Sequence, residues 1–296
     1  MHYLCDHELL GHTRIPPHND RSDAINHICL RFHQDLENDP TADSPALPNP
    51  YYEDRFVTVR EMLSILLDNG ARVSQQNENG QAPLYLAACS PWHGFLALLL
   101  RKRPNDPAVN IAYSAENKII TPLFAAFKAG NVSSVQLLLR NGADIHCRDH
   151  NGYNALHLAM SSPNPEVQIV HALIDAGCPI DESHPSIGSE LHIAAICGFV
   201  LAIRVLIEAG CSWDKRNSEG LTSLGVALQA ATFERNGAAE ELIGVLNGQI
   251  VRDEDRGSGD LVCMVLQSAD PGNQHGEVIA KLLISNGAGI HKDYDD

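Results

Sequence analysis

Long runs of basic residues are absent from this sequence. The longest is Arg101-Lys102-Arg103, and 37 acidic side chains outnumber 21 basic ones, which gives a formal net charge of −16. Proteins that bind DNA or RNA normally carry the opposite sign, because neutralising the phosphates supplies most of their affinity. We therefore expect no nucleic-acid partner.

The chain also lacks a long apolar segment. No stretch approaches the roughly 18 residues of a membrane-spanning helix, and the first 17 residues lack the basic and apolar regions of a secretory signal. Eight cysteines are scattered without a CxxC pair, so neither a zinc ribbon nor a redox motif is indicated. Free cysteines are typical of a reducing compartment. We expect a cytoplasmic protein, or a nuclear one, without a membrane partner.

Signatures of catalytic and metal sites are missing as well. The sequence contains no GxSxG, HExxH, GxGxxG or Walker-type loop. Four histidines occur within residues 1–21, but none forms a helical i, i+4 pair with a third ligand nearby. We expect neither a cofactor nor a metal ion.

What the sequence does contain is a repeated segment, seen most clearly between Thr121 and Ile145. Thr121 can cap a helix, and Pro122 stands at the first helical position, where its missing N–H costs nothing. Gly130 ends this helix, and Gly142 ends a second, apolar-striped helix because glycine accepts left-handed backbone angles. One such unit cannot bury its own apolar face and needs a copy on each side.

Copies occur on both sides. Five glycines have the same kind of neighbours. Each follows apolar residues three and four positions earlier and precedes a small residue: Gly70, Gly142, Gly177, Gly210 and Gly287. The spacing is close to 33 to 36 residues, and the inner helices begin with TPLH-like segments. The chain resembles the ankyrin-repeat family in these features, from about residue 55 to its end. The resemblance implies an all-α solenoid of about seven helix–turn–helix repeats with degenerate terminal caps.

Two domains are predicted. Residues 1–54 form an N-terminal extension with a degenerate capping repeat and a proline-rich loop at 37–52, and residues 55–296 form the repeat array. A helix is expected from Val57 to Gly70. The loop that joins the second helix of one repeat to the first helix of the next is called a finger. Between Arg103 and Asn117, two prolines and an arginine replace the usual glycine ending, so we expect a longer, irregular finger there.

Histidines 157 and 192 occupy the histidine position of the TPLH segment. In the ankyrin family this imidazole usually bonds neighbouring backbone, so the resemblance implies a structural role for His157 and His192. Glu190 stands where proline is usual. A carboxylate near a helix N-terminus is favoured by the helix dipole, so Glu190 needs no functional explanation.

In the ankyrin family, partners contact the finger tips and the exposed side of the inner helices. Carried over position by position, this predicts the following binding residues: Gln81, Lys118, Ile120, Lys128, Asp149, His150, Tyr153, Ser161, His184, Leu221 and Gln229. These positions, with Ile196 beside them, mix an aromatic residue (Tyr153) and exposed apolar residues with few charges, which favours burial by a partner over charge readout. The resemblance implies a non-catalytic scaffold that binds a partner protein or peptide on its concave surface, with basic parts drawn to the acidic rim.

The alternative hypothesis is an enzyme built on this scaffold, of the acid–base isomerase or cyclase type, with a small molecule in the concave groove. Such a site needs a proton donor and acceptor within reach of the substrate. The candidate groups are Asp149, His150, Tyr153, Lys128 and His184, whose spacing is not specific for any reaction. A deep cavity lined by three of them, Asp149, His150 and Tyr153, favours chemistry, and an open groove favours protein recognition.

Overall fold

The computed structural model describes residues 23–29, 50–90, 93–104, 106–115, 118–163, 165–233, 238–246, 281, 282 and 285. Within these ranges, the side chains of residues 50–56, 114, 115, 118, 119, 229–233 and 246 are not described. The chain forms two compact units, Met1–Asn151 and Gly152–Asp296. Nearly all of the described backbone in each unit consists of short helices and the turns that connect them.

The first unit contains six α-helices among its described residues: α1 (23–29), α2 (Pro50–Asp68), α3 (Pro83–Cys89), α4 (His93–Lys102), α5 (Pro122–Lys128) and α6 (Val132–Arg140). A 3₁₀ helix at Pro107–Asn110 and two antiparallel strands, β1 (Tyr113–Ala115) and β2 (Lys118–Ile120), lie between α4 and α5. The second unit contains α7 (Ala155–Met160), α8 (Val167–Asp175), α9 (Glu190–Ile196), α10 (Val200–Glu208), α11 (Ser223–Phe233) and α12 (Ala238–Leu246).

Local sequence explains where these helices begin and end. The Thr121 hydroxyl accepts a hydrogen bond from the Phe124 N–H at 3.3 Å, which caps α5, and Pro122 follows at the first helical position. At the end of α6, Gly142 adopts a φ of 83°. There the Ala143 N–H donates to the Leu138 carbonyl at 3.0 Å, which satisfies a helix-end acceptor.

Inner helices pack side by side within each unit. In the first unit α3 lies against α5, and in the second α9 lies between α7 and α11. The outer helix α10 likewise lies between α8 and α12. Helix α9 is buried from Glu190 to Ala195, while α10 buries only one face, through Ala202, Ile203 and Leu206. The predicted helical repeat fold is confirmed. The described residues contain five inner–outer pairs, α3/α4 to α11/α12, so the count of about seven stays a prediction.

The finger between α4 and α5 is more regular than predicted. Asp106 caps the 3₁₀ helix by accepting a hydrogen bond from the Ala108 N–H at 2.9 Å, and Pro107 fits its first position. The chain then returns as an antiparallel ribbon in which Tyr113 pairs with Ile120. Pro107 therefore starts a short helix here, and the two prolines do not prevent the hairpin that follows.

Helix α2 begins at Pro50, so the predicted loop at 37–52 is wrong for its last three residues, and the helix starts well before Val57. Proline is favoured at the start of a helix as well as in loops. The rest of the predicted loop, 37–49, lies outside the described residues, and so do the histidines of the first 21 residues. The predicted domain boundary after residue 54 falls inside α2, and the division into two domains stays a prediction. Among the described residues, no helix is long and apolar enough to cross a membrane.

Two leucines of α10 test this assignment of faces. Leu206 is fully buried, whereas Leu201 is 58% exposed. Leu206→Ala should lower the free energy of unfolding by about 2–5 kcal/mol, because it leaves a cavity in the core. Leu201→Ala should change it by less than about 0.5 kcal/mol. Urea denaturation of both variants measures this difference, and equal losses would contradict the packing.

Candidate binding site

Side chains close the finger tips in a repeated way. In the first unit the Asn77 carboxamide oxygen accepts a hydrogen bond from the Gln81 N–H at 2.8 Å, and the Asn77 N–H donates to the Gln81 carbonyl at 2.9 Å. In the second unit Asn217 and Leu221 make the same two bonds at 3.0 and 2.9 Å. Side chains that accept from nearby backbone in this way stabilise tight turns. Gln81 and Leu221 are thus held at the tips where the sequence placed them.

Asp149 and His184 occupy the position of Asn77 in their own fingers. The Asp149 carboxylate accepts a hydrogen bond from the Asn151 N–H at 2.9 Å, and the Nδ1 atom of His184 accepts one from the Ser186 N–H at 3.2 Å. His184 and Gly188 also exchange two backbone hydrogen bonds, at 2.7 and 2.9 Å. Both predicted binding residues therefore shape their own turns. The sequence reasoning did not predict this role, which the register with Asn77 could have indicated.

The remaining predicted positions of the first unit lie on its ribbon, inner helix and last finger. Ile120 is half-buried, and Lys118 begins β2, where only its backbone is described. Lys128 is the exposed last residue of α5. His150 is exposed, with its Nδ1 atom 3.6 Å from an Asp149 carboxylate oxygen.

Two tyrosines of the first unit were not among the predicted binding residues. The rings of Tyr85 and Tyr113 lie 4.8 Å apart at an angle of 39°. Burial raises the pKa of Tyr85 well above its usual range, and the Cys89 thiol raises it further. Tyr85 occupies the register of the TPLH histidine, and this signal could have pointed to it. Tyr113 belongs to the longer finger, whose pairing could not be read from the repeat.

Aromatic rings also meet in the second unit. The ring of Tyr153 lies 4.6 Å from His184 and 6.1 Å from His157, and the two imidazoles are 6.4 Å apart. Centroid distances of this size are typical of favourable aromatic pairs. Tyr153 and His184 are both half-buried. The sequence placed both at the finger tips, and the structure brings them into contact.

A buried carboxyl lies beneath this aromatic group. Glu190 is completely buried, and one of its oxygens accepts hydrogen bonds from the Asn154 side chain at 2.8 Å and from the Glu182 N–H at 3.3 Å. The same oxygen is 3.8 Å from the Nε2 atom of His157. The other oxygen, Oε2, is buried and has no hydrogen-bond partner in the described part of the chain. Burial is the largest influence on the Glu190 carboxyl and raises its pKa.

Glu190 thus does more than the sequence interpretation allowed. The helix dipole favours a carboxylate at this position, but the side chain is buried and bonded to Asn154 of the preceding repeat. The signal was the replacement of the usual proline by an ionisable residue. The role of Glu190 depends on its contact with Asn154, 36 positions earlier in the sequence, and the repeat pattern does not reveal this contact.

His192 has the structural role that the resemblance implied. Its Nδ1 atom accepts a hydrogen bond from the Ser189 N–H at 3.2 Å, which leaves Nε2 to donate to the Leu221 carbonyl at 3.1 Å. This geometry assigns the neutral imidazole with its proton on Nε2. Desolvation lowers the pKa of His192, in agreement with a neutral ring. The side chain therefore connects its own repeat to the next finger.

Two inner helices of the second unit end in exposed side chains. Ser161, the C-cap of α7, is exposed, and its hydroxyl donates to the His157 carbonyl at 2.9 Å. Ile196 has the same register at the end of α9 and is 48% exposed. Gln229 lies in α11, and its side chain is not among those described.

The groups named for an acid–base site divide between the two units. Lys128, Asp149 and His150 belong to the first unit, and Tyr153 and His184 belong to the second. The Asp149 carboxylate and the Nδ1 atom of His184 both accept hydrogen bonds from their own turns. In the described part of the chain, no group of three or more His, Cys, Asp or Glu side chains is placed to hold a metal ion.

Comparison with known proteins identifies the family. A family model for ankyrin repeats in three copies matches residues 57–149, 95–184 and 123–217, which together span more than half of the chain. The crystal structure of the Bcl-3 ankyrin repeat domain is similar at a TM-score of 0.50 and 22% identity, and the match covers 78% of this chain and 99% of that one. The chain belongs to the ankyrin-repeat family. Ankyrin repeats are generally protein–protein interaction modules.

Longer proteins contain similar repeats. A Caenorhabditis elegans homologue of transient receptor potential cation channel subfamily A member 1 is 27% identical over 169 residues, which are 57% of this chain and 13% of the relative. The mouse ankyrin repeat and SOCS box protein 16 is 29% identical over 192 residues, which are 63% of this chain and 41% of the relative. The match therefore covers less than half of the length of each of these relatives.

Gly188 tests the close packing around His192. Its φ is 97°, and a Cβ atom at this position would lie 2.9 Å from two ring atoms of His192. Gly177 provides a control, since its φ is 83° and its Cβ would meet no atom within 4 Å. In both alanine variants the free energy of unfolding should fall by about 1–2 kcal/mol, because alanine is strained at a left-handed φ. In Gly188→Ala it should fall by a further amount, about 1–3 kcal/mol, because the new Cβ clashes with the His192 ring. Equal losses in urea denaturation would contradict the contact.

Glu190→Gln tests the buried carboxyl. A raised pKa means that the acid form is favoured in the folded state, so the stability it contributes is lost as the pH rises through that pKa. The variant should therefore be more stable than wild type at pH 8, by roughly 1 kcal/mol or more. This difference should shrink towards pH 4.5, the carboxyl's ordinary value. Unfolding free energies across this range measure it, with exposed Glu219→Gln as the control. A stability difference between Glu190→Gln and wild type that does not change with pH would contradict the raised pKa of Glu190.

Proposed function

We propose that this protein is a non-catalytic scaffold that binds a partner protein or peptide through its finger tips and the exposed ends of its inner helices. The observation that carries this proposal is the exposure of the Ile196 side chain. Helix α9 is buried from Glu190 to Ala195, and its next residue leaves nearly half of a large apolar side chain in water. A contact with a partner would bury this surface.

The predicted binding residues contribute in different ways. Lys128, His150 and Ser161 are exposed, so a partner could contact them directly. Asp149 and His184 hold their finger turns in shape, and Asn77 holds Gln81 at its tip, so a partner would contact a surface that is already formed. Preformed turns reduce the ordering cost of binding. Ile120, Tyr153 and Leu221 are half-buried and offer apolar contact area.

The cysteines support a cytoplasmic location. Among the described residues, six cysteines are free thiols. Burial raises the pKa of the Cys211 thiol to about 12, so it is not a reactive thiolate. Free buried thiols of this kind suit a reducing compartment. The acidic composition supports a partner other than a nucleic acid.

Affinity capture with a matched pair of variants tests the proposal. Ser161→Arg places a bulky side chain on the exposed end of α7, and Gln168→Arg places the same side chain on the exposed surface of α8 in the same repeat. Proteins recovered from an extract of the native host would be quantified by mass spectrometry. Ser161→Arg should reduce recovery of the specific partner by roughly tenfold or more, and Gln168→Arg should not.

Two results would contradict the proposal. Equal recovery by both variants would mean that the inner-helix surface is not the binding surface. If wild type recovers no protein above background, the scaffold function itself is wrong.

A further inference from the structure

Among the described residues, the inner helices α7 and α9 of the second unit end in exposed side chains. Helices α7, α9 and α11 pack side by side, so residues of equal register on them are neighbours along one surface. Ser161 and Ile196 share such a register and are both exposed, as is Cys197, which follows Ile196. This face contains a large apolar side chain next to a small polar one, without a charged side chain at these three positions.

Charge is distributed unevenly along the chain. Residues 50–151 contain nine acidic and ten basic side chains, whereas residues 152–246 contain eleven acidic and only four basic ones. The second unit therefore carries a clear negative charge in its repeats, and the repeats of the first are nearly neutral. A partner of the second unit meets a negative field that a partner of the first does not.

Three described basic side chains in the repeats of the second unit make internal contacts. Among its described residues, Arg204 pairs with Glu241 at 2.8 Å, Lys215 pairs with Asp181 at 3.0 Å, and an Arg216 guanidinium nitrogen donates to the Gly220 carbonyl at 2.7 Å. These bonds satisfy the cations locally and reduce their ability to meet an acidic partner.

Several carboxylates of the same unit have no such pairing. In the part of the unit that the structure describes, five acidic residues make no ion pair: Glu166, Asp175, Glu208, Asp214 and Glu219. Asp214 and Glu219 lie in the finger that Asn217 closes. The uncompensated charge is therefore negative. Asp175 and Glu208 lie on the outer helices, whereas Glu166 lies in the connection between α7 and α8, and Asp214 and Glu219 lie in the finger before α11.

We propose that the inner-helix face of the second unit binds a cationic peptide segment that places an apolar side chain against Ile196. This inference rests on the proposed function and adds the chemical class of the partner. Burial of Ile196 supplies affinity, while the net negative charge of the unit, including Glu166, Asp214 and Glu219 in the connections next to the inner helices, attracts Lys and Arg side chains and disfavours acidic segments. An acidic segment would meet repulsion here, and a purely polar one would leave Ile196 in water.

Peptide display against the full chain tests this inference. Random peptides displayed on phage would be selected for binding to wild type, and the affinities of synthetic copies would be measured at low and high salt. The selected peptides should be rich in Lys and Arg and contain a large apolar residue. Their binding should weaken as salt is raised, because salt screens the attraction.

A matched pair of variants locates the contact. Ile196→Ser should weaken binding of the selected peptides by roughly tenfold or more, because it removes the apolar surface that the peptide buries. Leu201→Ser provides the control, since Leu201 is also exposed but lies on the outer helix α10. It should bind the peptides as wild type does.

Three outcomes would overturn the inference. Selection of acidic or uncharged peptides would mean that the partner class is wrong, although the scaffold function would stand. Unchanged affinity in Ile196→Ser, or equal losses in both variants, would mean that the peptide binds elsewhere. No selected peptide, together with successful protein capture from the extract, would mean that a folded surface and not a peptide segment is recognised.

Discussion

Burial of apolar side chains between neighbouring repeats is the interaction on which this structure depends. A helix such as α9, seven residues long, is too short to be stable in water by itself. It becomes stable because α7 and α11 cover it on both sides within the second unit. The same packing leaves the finger tips and the helix ends exposed, so the surface offered to a partner is a consequence of how the repeats reach stability.

Polar contacts add specificity to this packing. His192 donates to the Leu221 carbonyl of the next finger, and Asn154 donates to Glu190 of the following repeat. Buried polar groups of this kind are costly unless they are bonded, so they favour one alignment of neighbouring repeats over others. The fingers of the second unit are also connected directly, by a hydrogen bond of 2.9 Å from the Ser218 hydroxyl to the Ser186 carbonyl. A partner therefore meets tips that are already ordered.

Sequence reasoning succeeded where the determinants are local. Gly142 and Gly177 end helices with positive φ angles, and Pro122 begins one, because these residues have strong backbone preferences of their own. It failed where the determinants are distant. The Tyr113–Ile120 pairing and the burial of Glu190 depend on contacts that the repeat pattern does not encode. The candidate binding positions were predicted by register alone, and register does not say which of them, like His184, also hold their own turn.

The most direct test of this account is the behaviour of one repeat alone. A peptide of residues 186–221 contains α9, α10 and half of each adjoining finger. Cut from the chain, it loses both neighbours that cover its apolar faces, so far-ultraviolet circular dichroism should show a largely unfolded peptide. A stable helical fold with a cooperative melting transition would contradict the claim that neighbouring repeats, and not the repeat itself, provide the stability.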